Sequence, residues 1–287
     1  MPKYDRVTFF THVRFMNTIL NFLEVAELAA IQGGKSLQKW WGKLTQIREK
    51  SSCGDLVTEA DHDSESEIIS LIAKKFPEHR ILSEESGFSG PENSDYIWAI
   101  DPLDGTTNYT HQMPMTAVSI ALLHHNHPIL GIVYNPFTNE FFKAYEGGGA
   151  FLNNKKIAVS KISTLNKSLL ATGFAYDRRD TPDNNYLEFC YMTSCTQGVR
   201  RMGSAALDLA YLAAGRYDGF WERGLGIWDI AAGIILVREA GGLVTSYENE
   251  SIELKSGRIL ATNGLIHQNL SDSLTTIRMK KDPIIFS

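Results

Sequence analysis

The sequence contains little cysteine, no long apolar run and no block of basic residues. Its 287 residues include three cysteines, which cannot all pair within the chain and have no CxxC spacing, so a reduced, cytoplasmic compartment is predicted. No segment approaches the ~20 consecutive apolar residues that span a bilayer, so no membrane association is predicted. The formal net charge of −5 disfavours nonspecific binding to nucleic acid as the main role.

What is present is the composition of a globular protein with a substantial core. Hydrophobic residues make up 43% of the chain and charged residues 21%. Residues 1–15 are apolar but interrupted by charged and polar side chains, and they have no small-residue cleavage site. We therefore interpret them as an added arm or an over-extension before Met16 rather than as a secretory signal.

The hydrophobic pattern of the N-terminal half predicts two helices followed by β-strands. Apolar positions from Leu20 to about Trp41 indicate a long, largely buried helix. Residues 60–76 indicate a second helix, which Pro77 terminates. Short apolar runs between residues 80 and 160 then predict strands, with the HHNH stretch (124–127) and the three glycines at 147–149 in turns.

Beyond about residue 155 the pattern changes to alternating strands and helices. Strand-like residues 168–176 are followed by a helical pattern in 182–195 and then by two further apolar stretches, 203–221 and 227–242, in which strand and helix signals alternate. This alternation predicts an α/β half. The expected organisation is an N-terminal α+β half, residues 1–154, and a C-terminal α/β half, residues 155–287.

Two aspartates stand in the short stretch WAIDPLDGTTNYTH (98–111). Asp101 follows an apolar strand and precedes Pro102, which disfavours helical backbone at the residue before it, so Asp101 is expected to be extended. Asp104 precedes Gly105 and resembles a helix N-cap, where free N–H groups can also receive an anion. In isolation, the two aspartates are interpreted as a turn residue and a cap.

Further acidic residues stand at the ends of other predicted elements. Glu84 and Glu85 end a strand, and Asp229 opens a helix. Two like charges at ~4 Å repel by roughly 4 kcal/mol at an effective dielectric of 20, so converging carboxylates need bound cations. Oxygen ligands without histidine or cysteine favour Mg²⁺ or Mn²⁺ over Zn²⁺.

Four stretches, taken in order, resemble the signatures of the inositol monophosphatase family. They are DLVTEAD (55–61), LSEES (82–86), WAIDPLDGTTNY (98–109) and WDIAAGIILVREAGG (228–242). The resemblance extends from about Met16 to the 260s and is strongest to the bacterial branch. It implies a layered α-β-α-β-α sandwich with the site between two halves, a homodimer, and inhibition by Li⁺.

The resemblance also implies a set of metal ligands with two or three Mg²⁺ ions. Glu84, Asp101 and the carbonyl of Leu103 would hold the first ion. Asp101, Asp104 and Asp229 would hold the second, so that Asp101 bridges the pair. A weaker third ion would also lie near Glu84, and Mn²⁺ is an alternative to Mg²⁺.

The resemblance also implies catalytic and substrate-binding roles for particular residues of this sequence. Thr106, hydrogen-bonded to Asp61, would orient and help to deprotonate the attacking water, while Glu84 would serve catalysis through its metal. The N–H groups of Gly105 and Thr106 would hold the phosphate. The residues expected to meet the substrate ring are Gly203, Ser204, Ala205 and Glu222.

Two features of the sequence, a serine before the glutamate pair and a pair of arginines, have more than one interpretation. Ser83 stands where relatives usually have glycine, which could alter a third-ion site but not the reaction class. Arg200 and Arg201 are interpreted either as a solvated or interface pair or as residues that face a substrate anion or a partner chain.

The expected function is Mg²⁺-dependent hydrolysis of a small polyol phosphate monoester, with myo-inositol 1-phosphate as the first choice. Alternative substrates are histidinol phosphate, a sugar bisphosphate or a nucleotide. An alternative of a different class is an interaction module for the transcription machinery, because some bacterial relatives associate with it. The intact set of acidic residues favours the enzyme.

Overall fold

Two β-sheets alternate with three layers of α-helix. The structure is a computed structural model that describes residues 6–50, 52 and 54–279, with side chains described from residue 18 to residue 277. The sheets, strands and helices are those of these described residues.

Two packed helices form the first layer. Helix α1 spans Arg6–Trp40 and helix α2 spans Glu59–Lys75. The predicted start of α1 at Leu20 is wrong, because the helix begins at Arg6 and carries most of the proposed arm. No proline or glycine interrupts residues 6–32, so the polar positions there remain compatible with a helix. Residues 1–5 lie outside the described part.

Helix α2 lies within one residue of its predicted bounds, 60–76. Thr58 is the N-cap and forms a capping box with Asp61, whose carboxylate accepts from the Thr58 N–H. The helix ends at Lys75, just before Pro77, which cannot continue it. Between the two helices the chain forms a small antiparallel hairpin, β1 (Ile47–Glu49) and β2 (Leu56–Thr58).

The larger sheet has eight strands in the order β10-β9-β8-β7-β6-β5-β3-β4. The strands are β3 (Arg80–Ser83), β4 (Gly87–Ser89), β5 (Tyr96–Asp104), β6 (Ala117–His124), β7 (His127–Asn135), β8 (Glu140–Tyr145), β9 (Gly149–Leu152) and β10 (Lys155–Lys156). All neighbours are antiparallel except the pair β3–β5. His125 and Asn126, both with positive φ, form the β6–β7 turn, which confirms the turn interpretation of the HHNH stretch.

The smaller sheet has five strands in the order β12-β11-β13-β15-β14. They are β11 (Leu169–Thr172), β12 (Gly198–Arg200), β13 (Gly219–Glu222), β14 (Leu243–Thr245) and β15 (Ile259–Thr262). The remaining helices are α3 (Thr106–Thr110), α4 (Tyr186–Cys195), α5 (Ala205–Ala213), α6 (Ile227–Glu239) and α7 (His267–Met279). Short 3₁₀ segments cover Leu165–Lys167, Tyr176–Arg179 and Leu254–Ser256.

Hydrophobic packing arranges these elements in five layers. Helices α1 and α2 cover one face of the larger sheet, α5 and α6 lie between the two sheets, and α4 and α7 cover the outer face of the smaller sheet. Helix α6 is buried from Ile230 to Val237, as a helix between two sheets must be. The predicted α-β-α-β-α sandwich is confirmed.

Two further predictions concern the start of helix α4 and the division of the chain into halves. Helix α4 begins at Tyr186 rather than at residue 182, because Asn185 adopts a left-handed backbone with φ of 70° and serves as the N-cap residue. The division of the chain into halves at residue 155 stays a prediction. Within the described residues, no helix combines the length and the apolar character needed to cross a membrane.

Candidate active site

Three aspartates from two elements come together at one point. Asp101 and Asp104 lie at the end of β5, and Asp229 lies in the first turn of α6. One carboxylate oxygen from each lies within 4.8 Å of the other two. The strand leaves regular register between Asp101 and Asp104, around Pro102, so both aspartates reach the same site.

Each aspartate is oriented by a donor from the protein. The N–H of Leu103 donates to Asp101 Oδ1 at 2.9 Å, and the N–H of Gly226 donates to Asp229 Oδ2 at 2.6 Å. Asp104 Oδ2 accepts from the Ser204 hydroxyl at 2.6 Å and from the Ala206 N–H at 2.7 Å. These contacts fix the carboxylates without neutralising their charge.

The interpretation of Asp104 as the cap of the following helix is wrong. Gly105 is itself the N-cap residue of α3, in a left-handed conformation, and no side chain caps that helix. Asp104 instead binds donors at the N-terminus of α5, a hundred residues further along the chain. It therefore fastens the end of β5 to the helix layer between the two sheets.

Burial and mutual repulsion raise the pKa of all three aspartates. Burial raises the pKa of Asp104 to about 6. Burial raises the pKa of Asp101 and of Asp229 well above the usual range, and the charge of Glu84 adds to both shifts. A buried group of like charges is stable when a cation binds it.

Glu84 lines the same cavity, but its carboxylate is paired with a cation that the sequence analysis missed. Lys50 Nζ lies 2.7 Å from Glu84 Oε1 and 2.5 Å from Glu85 Oε1. Lys50 follows strand β1 and is 34 residues from Glu84 in the chain. Its position in a polar segment gave no signal of this contact.

The expected pair of Asp61 and Thr106 is present. Thr106 Oγ1 lies 3.3 Å from Asp61 Oδ1 and 3.1 Å from the carbonyl oxygen of Leu103, and it can donate to either. Asp61 Oδ2 accepts from the hydroxyl and the N–H of Thr58. Burial raises the pKa of Asp61 to about 7, and the charge of Glu85 adds to this.

Gly105 allows the chain to pass closely beside two other segments. Its φ is 90°, and a Cβ built on it would lie 2.8 Å from the Met115 carbonyl oxygen and 3.1 Å from that of Gly203. Only glycine fits both this conformation and this space. Asn108 ties the same segments together by donating to the carbonyl oxygens of Met115 and Met202, each at 2.8 Å.

A cavity of about 630 Å³ extends from the aspartates towards the smaller sheet. Of the predicted site residues, all but Asp61 line it: Glu84, Asp101, Leu103, Asp104, Gly105, Thr106, Gly203, Ser204, Ala205, Glu222 and Asp229. Burial raises the pKa of Glu222 to about 8. The Glu222 carboxylate lies against Gly173, where a Cβ would be only 2.0 Å from Oε1.

The structure adds lining residues that the sequence left unassigned. Residues 173–176 and Arg178 form one wall, and Arg201 and Asp208 lie near Glu222. Arg201 is thus the member of the arginine pair that reaches the cavity. Ser83, the departure from the family pattern, is buried and places its hydroxyl 3.5 Å from the Ile100 carbonyl oxygen within the sheet.

Comparisons with known proteins identify the family of the chain. The model of the inositol monophosphatase family matches residues 19–279. An inositol-1-monophosphatase from Synechocystis is 55% identical over 88% of this chain and 88% of its own. A Pseudomonas aeruginosa protein named Nus factor SuhB is 41% identical over 91% and 97%.

A solved structure of an inositol monophosphatase from Anabaena superposes with a TM-score of 0.84. It is 52% identical to this chain, and the match covers 90% of this chain and 97% of that one. The chain belongs to the inositol monophosphatase family and is a phosphoric monoester hydrolase of the inositol-1-monophosphatase type.

Proposed function

We propose that this hydrolase cleaves the phosphate monoester of a small polyol, with myo-inositol 1-phosphate as the substrate of choice. The observation that carries the proposal is one cavity lined both by the three clustered aspartates and by Glu222. The aspartate cluster suits a phosphate bound through cations, and Glu222 suits hydroxyl groups. The Synechocystis relative named above supports the same substrate.

We further propose Mg²⁺ as the metal, in two or three ions, with Mn²⁺ as an alternative. The donors are all oxygen, and the three aspartates are buried and oriented, which fits hard divalent cations. Glu84, Asp101 and the carbonyl of Leu103 would hold one ion, and Asp101, Asp104 and Asp229 another. Bound there, Mg²⁺ would acidify water and neutralise phosphate charge.

The protein's own groups orient the water and the phosphate. The water oxygen attacks phosphorus, the bond from phosphorus to the ester oxygen breaks, and the departing oxygen takes up a proton. Thr106 Oγ1 accepts the water proton while donating its own to Asp61. The N–H groups of Gly105 and Thr106 hold the phosphate, and no phosphoenzyme forms.

Glu222 and residues 203–205 are proposed to bind the polyol. Glu222 is buried and faces the cavity, so it can accept hydrogen bonds from substrate hydroxyl groups. Once ionised, its carboxylate would repel a second phosphate group, which disfavours a bisphosphate. A site built around buried acceptors also discriminates against substrates that lack hydroxyl groups.

The remaining expectations concern the assembly and its setting. A homodimer, a cytoplasmic location and inhibition by Li⁺ stay predictions. A partner in the transcription machinery also stays a prediction, and the name Nus factor carried by the Pseudomonas relative supports it.

The test is phosphate release from a panel of monoesters with and without Mg²⁺. The panel contains myo-inositol 1-phosphate, histidinol phosphate, a sugar bisphosphate and a nucleoside monophosphate. We expect Mg²⁺-dependent release to be fastest from myo-inositol 1-phosphate. Much faster release from histidinol phosphate would contradict the proposed substrate and leave the reaction class intact.

A further inference from the structure

Asp208 is a buried acid that neither the fold nor the proposed mechanism uses. It lies in α5 and lines the cavity near Glu222, yet only 1% of it is exposed. Its Oδ1 has no hydrogen-bond partner among the described residues. Among the described residues, one buried side-chain oxygen of Glu59 and one of Thr116 also have no hydrogen-bond partner, but neither residue lines the cavity.

An unpartnered buried carboxyl oxygen is destabilising, because the group has lost water without gaining a donor. The other buried aspartates of this region do have donors. Asp218, which is 5% exposed, accepts from the Ser160 hydroxyl and from the Leu169 N–H. The missing donor at Asp208 is therefore a local feature of the cavity wall.

The charged groups around Asp208 indicate what kind of ligand could donate a hydrogen bond to it. Burial raises the pKa of Asp208 well above its usual range, the charges of Glu222 and Asp104 raise it further, and Arg201 opposes them. Arg201 also acts on Glu222, so one cation stands beside two carboxyls. A ligand that binds beside Asp208 and Glu222 therefore finds carboxyl oxygens that accept hydrogen bonds. It does not have to carry a positive charge, because Arg201 already supplies one. Neutral hydroxyl groups fit that requirement.

We propose that Asp208 is a second specificity-determining carboxyl, which accepts a hydrogen bond from a substrate hydroxyl beside Glu222. This inference rests on the proposed polyol phosphatase function and extends it. It explains why a carboxyl group whose Oδ1 has no donor among the described residues lies in a helix that is otherwise largely apolar and buried. Binding sites commonly retain such groups at the expense of stability.

The test replaces Asp208 with leucine, which has a similar branched shape and no polar atom. Replacing an unpartnered buried polar group by an apolar one is neutral or stabilising, so we expect an unchanged or higher Tm. We expect kcat/KM for myo-inositol 1-phosphate to fall about 10- to 100-fold, mainly through KM. The fall for p-nitrophenyl phosphate, which has no hydroxyl groups to bind, should be at least about ten-fold smaller.

Two further variants of Asp208 keep the test decisive. Asp208→Asn retains a carbonyl acceptor and should recover most of the activity on myo-inositol 1-phosphate. Asp208→Ala removes the acceptor without adding atoms, so it should reproduce the loss of specificity even if leucine does not fit.

Asp218→Leu is the matched control, because it removes an equally buried aspartate that has donors and lies outside the cavity lining. It should lower the Tm and leave the ratio of the two substrates unchanged. Equal losses on both substrates in the Asp208 variants, or no loss on either, would overturn the inference. Failure of the wild type on every monoester would instead overturn the proposed function, and the inference with it.

Discussion

At the residue scale, the acids of this site differ in how firmly they hold a proton. Burial raises the pKa of Asp61 to about 7, that of Asp104 to about 6 and that of Glu222 to about 8. Lys50 neutralises part of the charge, but its ion pairs are with Glu84, Glu85 and Asp55 rather than with the three clustered aspartates. The metal-free protein should therefore become less stable as these buried acids ionise.

Asp61→Asn tests this effect away from the proposed metal ligands. The folded pKa of about 7 exceeds the ordinary value of 3.8, so the stability contributed by the protonated group is complete below pH ~4 and is lost as pH rises through 7. The loss is about 4 kcal/mol at most, from 1.36 kcal/mol per pH unit. In EDTA, the variant should gain stability relative to the wild type between pH 4 and pH 8 in urea unfolding.

Asp63→Asn is a control, two residues from Asp61, in which the expected change in stability relative to the wild type has the opposite sign. Hydrogen bonds from Lys39 and Trp40 lower the pKa of Asp63, so its stabilising effect is present above pH ~4 and lost below it. That variant should lose a little stability relative to the wild type at neutral pH. An Asp61→Asn variant whose relative stability does not change with pH would contradict the account of Asp61.

At the element scale, the site depends on where strands end and helices begin. β5 carries one aspartate on each side of a proline, Gly105 takes a left-handed conformation before α3, and Asp229 lies in the first turn of α6. The N–H of Gly226 is bound by that aspartate as in a capping box, so one residue both starts the helix and faces the site.

Two glycines with nearly identical φ angles allow a matched test of the close approach at Gly105. Gly105 has φ of 90° and close neighbours, whereas Gly241 has φ of 89° and, among the described residues other than its chain neighbours, no atom within 4 Å of the position that a Cβ would occupy. Gly241→Ala should therefore cost only the left-handed backbone, about 1–2 kcal/mol. Gly105→Ala should cost at least about twice as much in urea unfolding, because its Cβ meets backbone carbonyls that cannot move freely. Equal losses would contradict the close approach.

Sequence patterns predicted those elements whose signals are local. The second helix with its end before Pro77, the turn of the HHNH stretch and the alternation of strand and helix in the second half all come from signals in neighbouring residues. Asp104 was assigned to the wrong helix, because a cap that comes from a hundred residues away leaves no local signal. The resemblance to a family, rather than periodicity, supplied the individual site residues.

At the scale of the whole molecule, the cavity lies where the layers meet. Asp101 and Asp104 come from the larger sheet, Asp229 from the helix layer between the sheets, and Glu222 from the smaller sheet. Contacts such as Lys50 with Glu84, and the position of Asp208 beside Glu222, depend on this assembly. They join residues far apart in sequence, so composition and spacing could not predict them.

The most direct test of the central claim is Mg²⁺-dependent phosphate release from myo-inositol 1-phosphate by the wild type and Asp104→Asn. Asparagine keeps an acceptor for Ser204 and Ala206 but removes the charge that a cation needs. Asp95→Asn, at an exposed position, is the control for loss of one acid.

We predict release that requires Mg²⁺ in the wild type and the control, and a loss of at least about 100-fold in Asp104→Asn. Undiminished release by Asp104→Asn, or by the wild type in EDTA, would contradict the claim that this acidic cluster is the catalytic metal site.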